Sequence, residues 1–424
     1  MIRRSLALLG MLRAERLPAA RLAACRDARL RALICRAARD VPFYRELLER
    51  YGIDPAEIRS AGDLARLPII DKATLRQAGQ AAWSTPRKGD IWISTSGSTG
   101  EPYRFPIDPR YDQLRKAQCL RPYLSNGRGI AQGLLRLTAR PRQTQPLFMR
   151  MGLLRELQVD SGVPPRTVLE LWRSSGCTLL QGYPSALRAL AQYCASGGGR
   201  LDPVPRRIFT DSELLGRDTR QLIECHLGAA VTDIFGTFET DNIAYQCEAG
   251  RGYHVTTDSI VLEVVRDDRV LCSGEEGELV VTVLNNHRSP FIRYNLHDRV
   301  RWAQEPCTCG RHFPLLEVLQ GRADHLILMS DGSERSAMDV LGGLDGLADQ
   351  LLHYQLRQEG LRRFTLLHVP TQAFQPAHAQ ALRATIAPLL GAVDLELRRV
   401  ARIPLTPAGK WLAFVRDLEG PGEL

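Results

Sequence analysis

Two groups of residues in this 424-residue chain have the types and spacing to do chemistry. The first is Thr95-Ser96-Gly97-Ser98-Thr99-Gly100-Glu101-Pro102. Glycines let a backbone approach an oxyanion closely and take up positive φ, while successive N–H groups and hydroxyls offer donors to phosphate oxygens. The loop is not a Walker P-loop, because the G-x-x-x-x-G-K-[ST] spacing fails and no lysine follows. Taken in isolation, a run of Ser and Gly is equally what a flexible surface loop looks like. The second group is Cys247, His254, Cys307 and Cys309, followed by Gly310. A Cys-x-Cys-Gly turn brings two thiolates to one point, and the Cys-x₆-His arm completes a tetrahedral zinc site where the two segments meet. The alternative is four unrelated reduced side chains.

The loop at 95–102 resembles the phosphate-binding motif of the adenylate-forming superfamily, the acyl-CoA synthetases and their relatives, in the flavour of the phenylacetate-CoA ligases and capsule-biosynthesis-type adenylating proteins. Four further segments resemble the same family in the same order. Asp233-Ile234-Phe235-Gly236-Thr237-Phe238-Glu239 is similar to its aromatic-Gly-x-[ST]-Glu segment. The resemblance implies that Phe235 packs by adenine, Thr237 touches the α-phosphate and Glu239 holds Mg²⁺, a hard ion that neutralises charge at phosphorus. Arg293-Tyr294-Asn295-Leu296-His297-Asp298 resembles the Arg-Tyr-x-x-x-Asp motif, which implies that Asp298 accepts hydrogen bonds from the ribose hydroxyls. Gly321-Arg322-Ala323-Asp324 resembles the hinge segment, with Arg322 reaching the nucleotide and Asp324 at the pivot. Pro404-Leu405-Thr406-Pro407-Ala408-Gly409-Lys410 resembles the C-terminal motif, whose lysine contacts the carboxylate and α-phosphate during adenylation. Ser212 and Glu213 stand where relatives place residues beside adenine, with Asp211 at the position of a glycine, while Tyr183, Asp241 and Asn242 stand where relatives line the acyl site. Some members of this branch carry the Cys/His/Cys/Cys pattern in the same places, which implies a structural Zn²⁺.

This resemblance implies ATP-dependent activation of a carboxylic acid, an aryl acid above all, to an acyl-AMP with pyrophosphate release. Transfer to a thiol follows, with coenzyme A as the expected co-substrate. Rotation of a small domain about Asp324 withdraws Lys410 and admits the acceptor. Passing the acyl group to an amine, a hydroxyl, a carrier protein or a deazaflavin coenzyme shares the first half-reaction. A non-catalytic zinc-bearing homologue that acts as a binding protein is a third reading, favoured by Tyr103 where a basic residue is usual and by Phe238 in place of a second hydroxyl. The joint presence of Glu239, Asp298, Arg322 and Lys410 opposes it. A carrier protein and a second copy of the chain stay open as partners.

The elements that must position these residues follow from pattern. At 424 residues the chain exceeds one compact core, and 44% hydrophobic with 24% charged residues excludes disorder as the dominant state. The net charge of +9 comes mostly from arginines spread from Arg3 to Arg416, which fits small anionic ligands or a generally basic surface and gives no nucleic-acid arm. A GC-rich genome accounts for the arginines as well. Ten cysteines at irregular spacing and no secretory leader point to a reducing, cytoplasmic setting. The N-terminus reads as a basic amphipathic helix, with membrane-surface contact as a lesser alternative, and no segment is long and apolar enough to span a bilayer. Residues 1 to about 50 are helical with a break at Pro42, Ile91–Ser94 is a strand, and strands near 178–180 and 207–210 alternate with helices. Glu278–Val283 is a strand in a β-rich stretch, and 361–368, 375–390 and 395–397 read as strand, helix and strand. The expectation is an α/β protein. A large N-terminal α/β adenylating domain of stacked sheets and helices (1–321, with a helical segment over 1–60) precedes a small mobile α+β C-terminal domain (322–424).

Overall fold

The computed structural model describes residues 2–95, 103–139, 141–142, 144–320, 326–341, 344, 347, 350–371, 373–404 and 412–417. Ser96, Gly97, Ser98, Thr99, Gly100, Arg322, Asp324 and Lys410 lie outside the described residues. The chain is a mixed α/β protein whose segments group into two compact units, 1–128 with 232–319 and 129–231 with 320–424. The sequence reading placed its single boundary at 321/322; the grouping of 129–231 with the C-terminal segment rests on contacts that local pattern does not encode.

In the first unit, helices Ile2–Ala14, Ala19–Asp40 and Pro42–Arg50 open the chain. Pro42 starts a helix rather than merely ending one: Val41 is extended at φ −121, and the proline occupies the first helical turn, where no N–H is needed. Leu30, Leu33, Ile34 and Ala37 recur at helical spacing and are buried in one core with Tyr44, Phe105, Val281 and Phe291. The Tyr44 hydroxyl donates to the Pro290 carbonyl at 2.8 Å, so even the polar tip of this core residue is satisfied.

Strands of this unit lie side by side in the order Arg269–Val270, Ile260–Arg266, Glu276–Val283, Tyr294–Trp302, Leu315–Gln320, Tyr253–Val255, Asp241–Gln246 and Val231–Thr237. Those at 241–246 and 253–255 are almost wholly buried on both faces. They lack the polar alternation that a half-exposed strand shows, which is why the β-rich region begins well before the stretch that pattern alone picked out.

Helix Pro109–Ser125 runs along the strand Asp241–Gln246. Asp108 caps it, its carboxylate accepting from the N–H groups of Arg110 at 2.8 Å and Tyr111 at 3.0 Å, and Pro109 sits in the first turn. The cap fixes the helix phase, so Tyr111, Arg115 and Gln118 fall on one face.

The second unit holds parallel strands in the order Arg207–Asp211, Leu179–Gly182, Leu134–Thr138 and Glu156–Asp160, joined by helices. Trp172, Leu180, Leu187 and Ile208 are buried in their core. The C-terminal part is a sheet ordered Asp394–Arg399, Arg363–Pro370, Leu351–Gln358 and Phe414–Arg416, with helix Pro376–Leu390 packed through Leu382, Ile386 and Leu390. The helix and both strands expected in this region are present, the first strand shifted by two residues to Arg363–Pro370 and the second extended to Asp394–Arg399. Among the described residues no helix is long and apolar enough to cross a membrane.

Candidate functional site

The segment 231–242 is a strand, a turn and a returning strand, and its bend is set by Gly236. A Cβ there would stand 2.1 Å from the Asp241 carbonyl oxygen, so only glycine lets the two strands approach this closely. The register shifts between Phe235 and Gly236, and Asp241 takes up a positive φ of 58, both marks of a bulged, over-twisted turn. Within the turn the Thr237 and Thr240 hydroxyls lie 2.9 Å apart, and the Thr240 N–H donates to the Thr237 hydroxyl at 3.2 Å. Phe238 turns outward, 46% exposed, while Glu239 turns inward and is 4% exposed. Among the described residues no hydrogen-bond donor or cationic side chain pairs with Glu239.

The two ends of the glycine-rich loop are pinned beside this carboxylate. The Tyr103 N–H donates to the Thr95 hydroxyl at 2.9 Å, and the Thr95 N–H donates to the Tyr103 carbonyl at 3.0 Å. Burial, and after it the negative charge of Glu239, raise the Tyr103 phenol well above its ordinary value. Tyr103 is thus a buried neighbour of Glu239 in ring contact with Trp83 and Phe105.

Asp233 and Phe235 face the next strands. The Asp233 carboxylate accepts from the Tyr253 hydroxyl at 2.7 Å, and the Phe235 ring stands 6.2 Å from that of Tyr253. Asp298 is buried at a bulge of strand Tyr294–Trp302, where pairing shifts between Glu278 and Val280 and His297 has a positive φ of 59. A bulge of this kind re-aims the side chain that follows it.

Asp241 and Asn242 meet helix Pro109–Ser125. The Asp241 carboxylate accepts from the Tyr111 hydroxyl at 3.1 Å and from Arg115 at 3.0 Å, and the Asn242 amide donates to the Gln118 carbonyl at 3.3 Å. Burial pushes the Asp241 carboxyl up to about 6, against the pull of Arg115 and Tyr111. Tyr111 and Arg115 were not singled out by sequence; the signal available was the Asp108-Pro109 cap followed by two polar residues at i, i+4 spacing. Because the folded state holds this proton more tightly than the unfolded chain, Asp241 contributes stability at low pH that is lost as pH rises from about 4 to about 6. Asp241→Asn is therefore expected to remove that slope. Urea unfolding at both ends of this range should show the wild type losing, relative to the variant, on the order of 2 kcal/mol on going up.

In the second unit, Glu213 accepts from the Ser185 N–H and hydroxyl, each at 3.0 Å, and so holds the N-terminus of helix Pro184–Ala195. Ser212 has a positive φ of 69, and Asp211 accepts from the Gln181 amide at 2.6 Å. The Tyr183 hydroxyl accepts from the Ala139 N–H at 3.4 Å.

The cysteine constellation converges. The ligand atoms of Cys247, His254, Cys307 and Cys309 all lie within 4.8 Å of one another. Cys247 Sγ and Cys307 Sγ are 3.5 Å apart, and Cys309 Sγ lies 3.3 Å from His254 Nε2. A tetrahedron around a zinc ion with Zn–S of about 2.3 Å has edges of roughly 3.7 Å, so the donor set fits that ion. His254 Nδ1 lies 3.3 Å from the Phe313 carbonyl, which fixes the ring with Nε2 toward the thiols. A buried polar layer backs the cluster. Arg311 lies 3.5 Å from Cys309 Sγ and donates to Glu15 at 3.1 Å, and Glu15 also accepts from Ser125 and Tyr245, each at 2.5 Å. Glu15 follows the first helix, whose Ala14 packs with Leu22 and Phe313. The helix read from sequence as a basic amphipathic element is thereby tied to the cysteine cluster.

No protein-family model matches the sequence. The chain is 27% identical over 364 residues to a phenylacetate-coenzyme A ligase of Thermus thermophilus, covering 82% of this chain and 80% of that protein. It is 25% identical over 337 residues to the phenylacetate-coenzyme A ligase of Escherichia coli, covering 73% and 72%. Among solved structures it is similar to 2-hydroxyisobutyryl-CoA ligase with 2-HIB-AMP in the postadenylation state, with a TM-score of 0.77 at 20% identity over 96% of this chain and 91% of that one. The same enzyme with 2-HIB-AMP and CoA in the thioesterification state gives a TM-score of 0.64 at 21% identity over 96% and 92%. The fold is that of these acyl-CoA ligases.

Proposed function

We infer that this chain, a homologue of the phenylacetate-CoA ligases with the fold of the adenylate-forming enzymes, is an AMP-forming acid–thiol ligase. A carboxylate oxygen of the acid attacks the α-phosphorus of ATP, pyrophosphate leaves, and a thiol then attacks the acyl carbon and expels AMP. Splitting the condensation this way replaces hydroxide with a far better leaving group. The observation that carries the reading is Glu239, a buried carboxylate without a cationic partner among the described residues, set beside the pinned ends of a glycine-rich loop. Burying a lone carboxylate is costly unless a cation meets it, and Mg²⁺ delivered with the nucleotide meets that need. Bound there, Mg²⁺ supplies neutralisation of the triphosphate charge.

The remaining roles are assigned as follows. The N–H groups and hydroxyls of Thr95, Ser96, Gly97, Ser98, Thr99 and Gly100 cradle phosphate, Thr237 reaches the α-phosphate, and Phe235, Ser212 and Glu213 border adenine. Asp233 supports that pocket through Tyr253, Asp298 takes the ribose, and Arg322 and Lys410 come from the hinge and the C-terminal segment. Tyr183, Asp241 and Asn242 border the acid, and 322–424 moves about Asp324 between half-reactions. The acid is an aryl acid and the thiol is coenzyme A. Exchange of labelled pyrophosphate into ATP, run against a panel of aryl and aliphatic acids, tests this directly. Acid-dependent exchange, with AMP release accelerated by coenzyme A, is the expected result. Absence of exchange with every acid rejects the ligase reading, and AMP release driven by an amine or a carrier protein instead of coenzyme A redirects the acceptor.

Cys247, His254, Cys307 and Cys309 are assigned one structural Zn²⁺ per chain, supported by the convergence of their donor atoms. Four protein ligands leave no open position, so the ion holds the fold and takes no part in the reaction. Cys309→Ser is expected to lower bound zinc well below one equivalent by elemental analysis, and to lower the thermal midpoint by about 5 °C or more. Full zinc retention in that variant removes the assignment. Together with the ten cysteines, none of them in a disulfide, a metal-bound thiol set supports placement in the reducing cytoplasm.

A further inference from the structure

Helix Pro184–Ala195 packs against strand Leu351–Gln358 inside the second unit, and the Gln192 amide donates to the Leu351 carbonyl at 2.8 Å across the seam. Arg188 lies in that seam, 7% exposed, with its guanidinium carbon 5.6 Å from the centre of the Tyr354 ring. Its Nε and Nη2 are buried and have no hydrogen-bond partner among the described residues. Those two nitrogens share one edge of the guanidinium plane, the edge that grips two oxygens of one oxyanion in parallel. Among the described residues the titratable groups against it are the Tyr354 phenol and His353, whose imidazole is pushed down to about 4 by burial first and by the Arg188 charge second. A buried cation with an unmatched fork is a costly arrangement that an anion relieves.

Position narrows the anion. Arg188 stands three residues beyond Ser185, about 5 Å along the helix axis. The Ser185 end of the helix is held by Glu213, assigned above to the border of adenine. Of the groups the reaction brings here, the phosphate of a phosphopantetheine-bearing thiol belongs to the second half-reaction, in which the C-terminal part moves. We propose that the Nε/Nη2 edge of Arg188 is an oxyanion subsite for the acyl acceptor, gripping a phosphate of the incoming thiol once strand Leu351–Gln358 withdraws from helix Pro184–Ala195. This subsite rests on the ligase reading. Its ligand phosphate comes either from the nucleotide part of coenzyme A or from the pantetheine phosphate that a carrier protein also bears.

The test compares wild type, Arg188→Leu and Arg188→Lys with coenzyme A, 4′-phosphopantetheine and pantetheine as acceptors. Arg188→Leu is expected to raise the KM for coenzyme A by about tenfold or more, while acid-dependent pyrophosphate exchange and the KM for pantetheine stay within about twofold. Arg188→Lys restores part of the loss, since it keeps the charge and gives up the fork. A penalty on 4′-phosphopantetheine as well assigns the pantetheine phosphate; a penalty on coenzyme A alone assigns the nucleotide phosphates. An unchanged KM for coenzyme A, an equal penalty on pantetheine, or a matching loss of pyrophosphate exchange overturns the subsite. The thermal midpoint of Arg188→Leu is expected at or above that of wild type, which separates the result from misfolding. Calorimetric binding of coenzyme A to wild type and Arg188→Leu needs no acid. It decides the subsite even where wild-type exchange fails and the ligase reading falls with it.

Discussion

Glu239→Gln is expected to reduce acyl-AMP formation on the order of 10²- to 10³-fold while leaving the fold intact. Glutamine keeps the shape of the side chain and removes only its charge. The carboxylate is 4% exposed and meets no cationic side chain among the described residues, so the wild-type protein carries it at a cost that the amide does not have. The thermal midpoint of the variant without ligands should therefore match or exceed that of wild type. Catalysis should move the other way, because an amide oxygen is a far weaker ligand for a hard divalent ion than a carboxylate. Acid-dependent pyrophosphate exchange, followed across a magnesium titration, separates the effects. A metal ligand gives a variant whose apparent need for magnesium rises together with the fall in rate. A variant with full exchange at ordinary magnesium would show that Glu239 is a packing residue, and Asp298 and the loop at 95–103 would no longer belong to a site centred on it.

Much of this site was readable because its parts are local. The strand at 91–94, the turn at 236–239 and the cysteine segments each announce themselves through residues that do one thing well: glycine where a side chain would meet a carbonyl, paired thiols on a tight turn, a carboxylate after a hydroxyl. Gly236 is the clearest case, since the 2.1 Å approach of the Asp241 carbonyl leaves no room for a Cβ. What pattern could not supply was pairing at long range. Nothing in Glu15 announces that it will be buried 296 residues away beside Arg311 and so brace the cysteine cluster. Nothing in Tyr111 or Arg115 announces that they will hold Asp241. The strands at 241–246 and 253–255 hid for a different reason: buried on both faces, they lose the alternation that marks a strand at a surface. Even the division of the chain followed this rule, because 129–231 groups with the C-terminal segment through seams such as that of Arg188 with Tyr354, which join residues far apart in sequence.

Lys410→Ala is the substitution expected to split the two half-reactions. Adenylation concentrates negative charge on the carboxylate, the α-phosphate and the departing pyrophosphate, and a lysine placed there stabilises the transition state more than the ground state. Thioester formation starts from a neutral acyl carbon with AMP leaving, and in the proposed cycle the C-terminal segment has by then carried Lys410 away about Asp324. Acyl-AMP formation from acid and ATP should fall on the order of 10³-fold. Thioester formation from supplied acyl-AMP and coenzyme A should stay within about threefold of wild type, since the interaction removed is one made only in the first transition state. Measuring both rates on the same preparation makes the comparison internal, because a damaged fold lowers both. Equal losses would mean that Lys410 serves both steps and that the segment does not leave the site between them. Unimpaired adenylation would remove the lysine from the reaction, and the charge on the transferring oxygens would have to be met by Arg322, whose alanine variant should then show the larger loss.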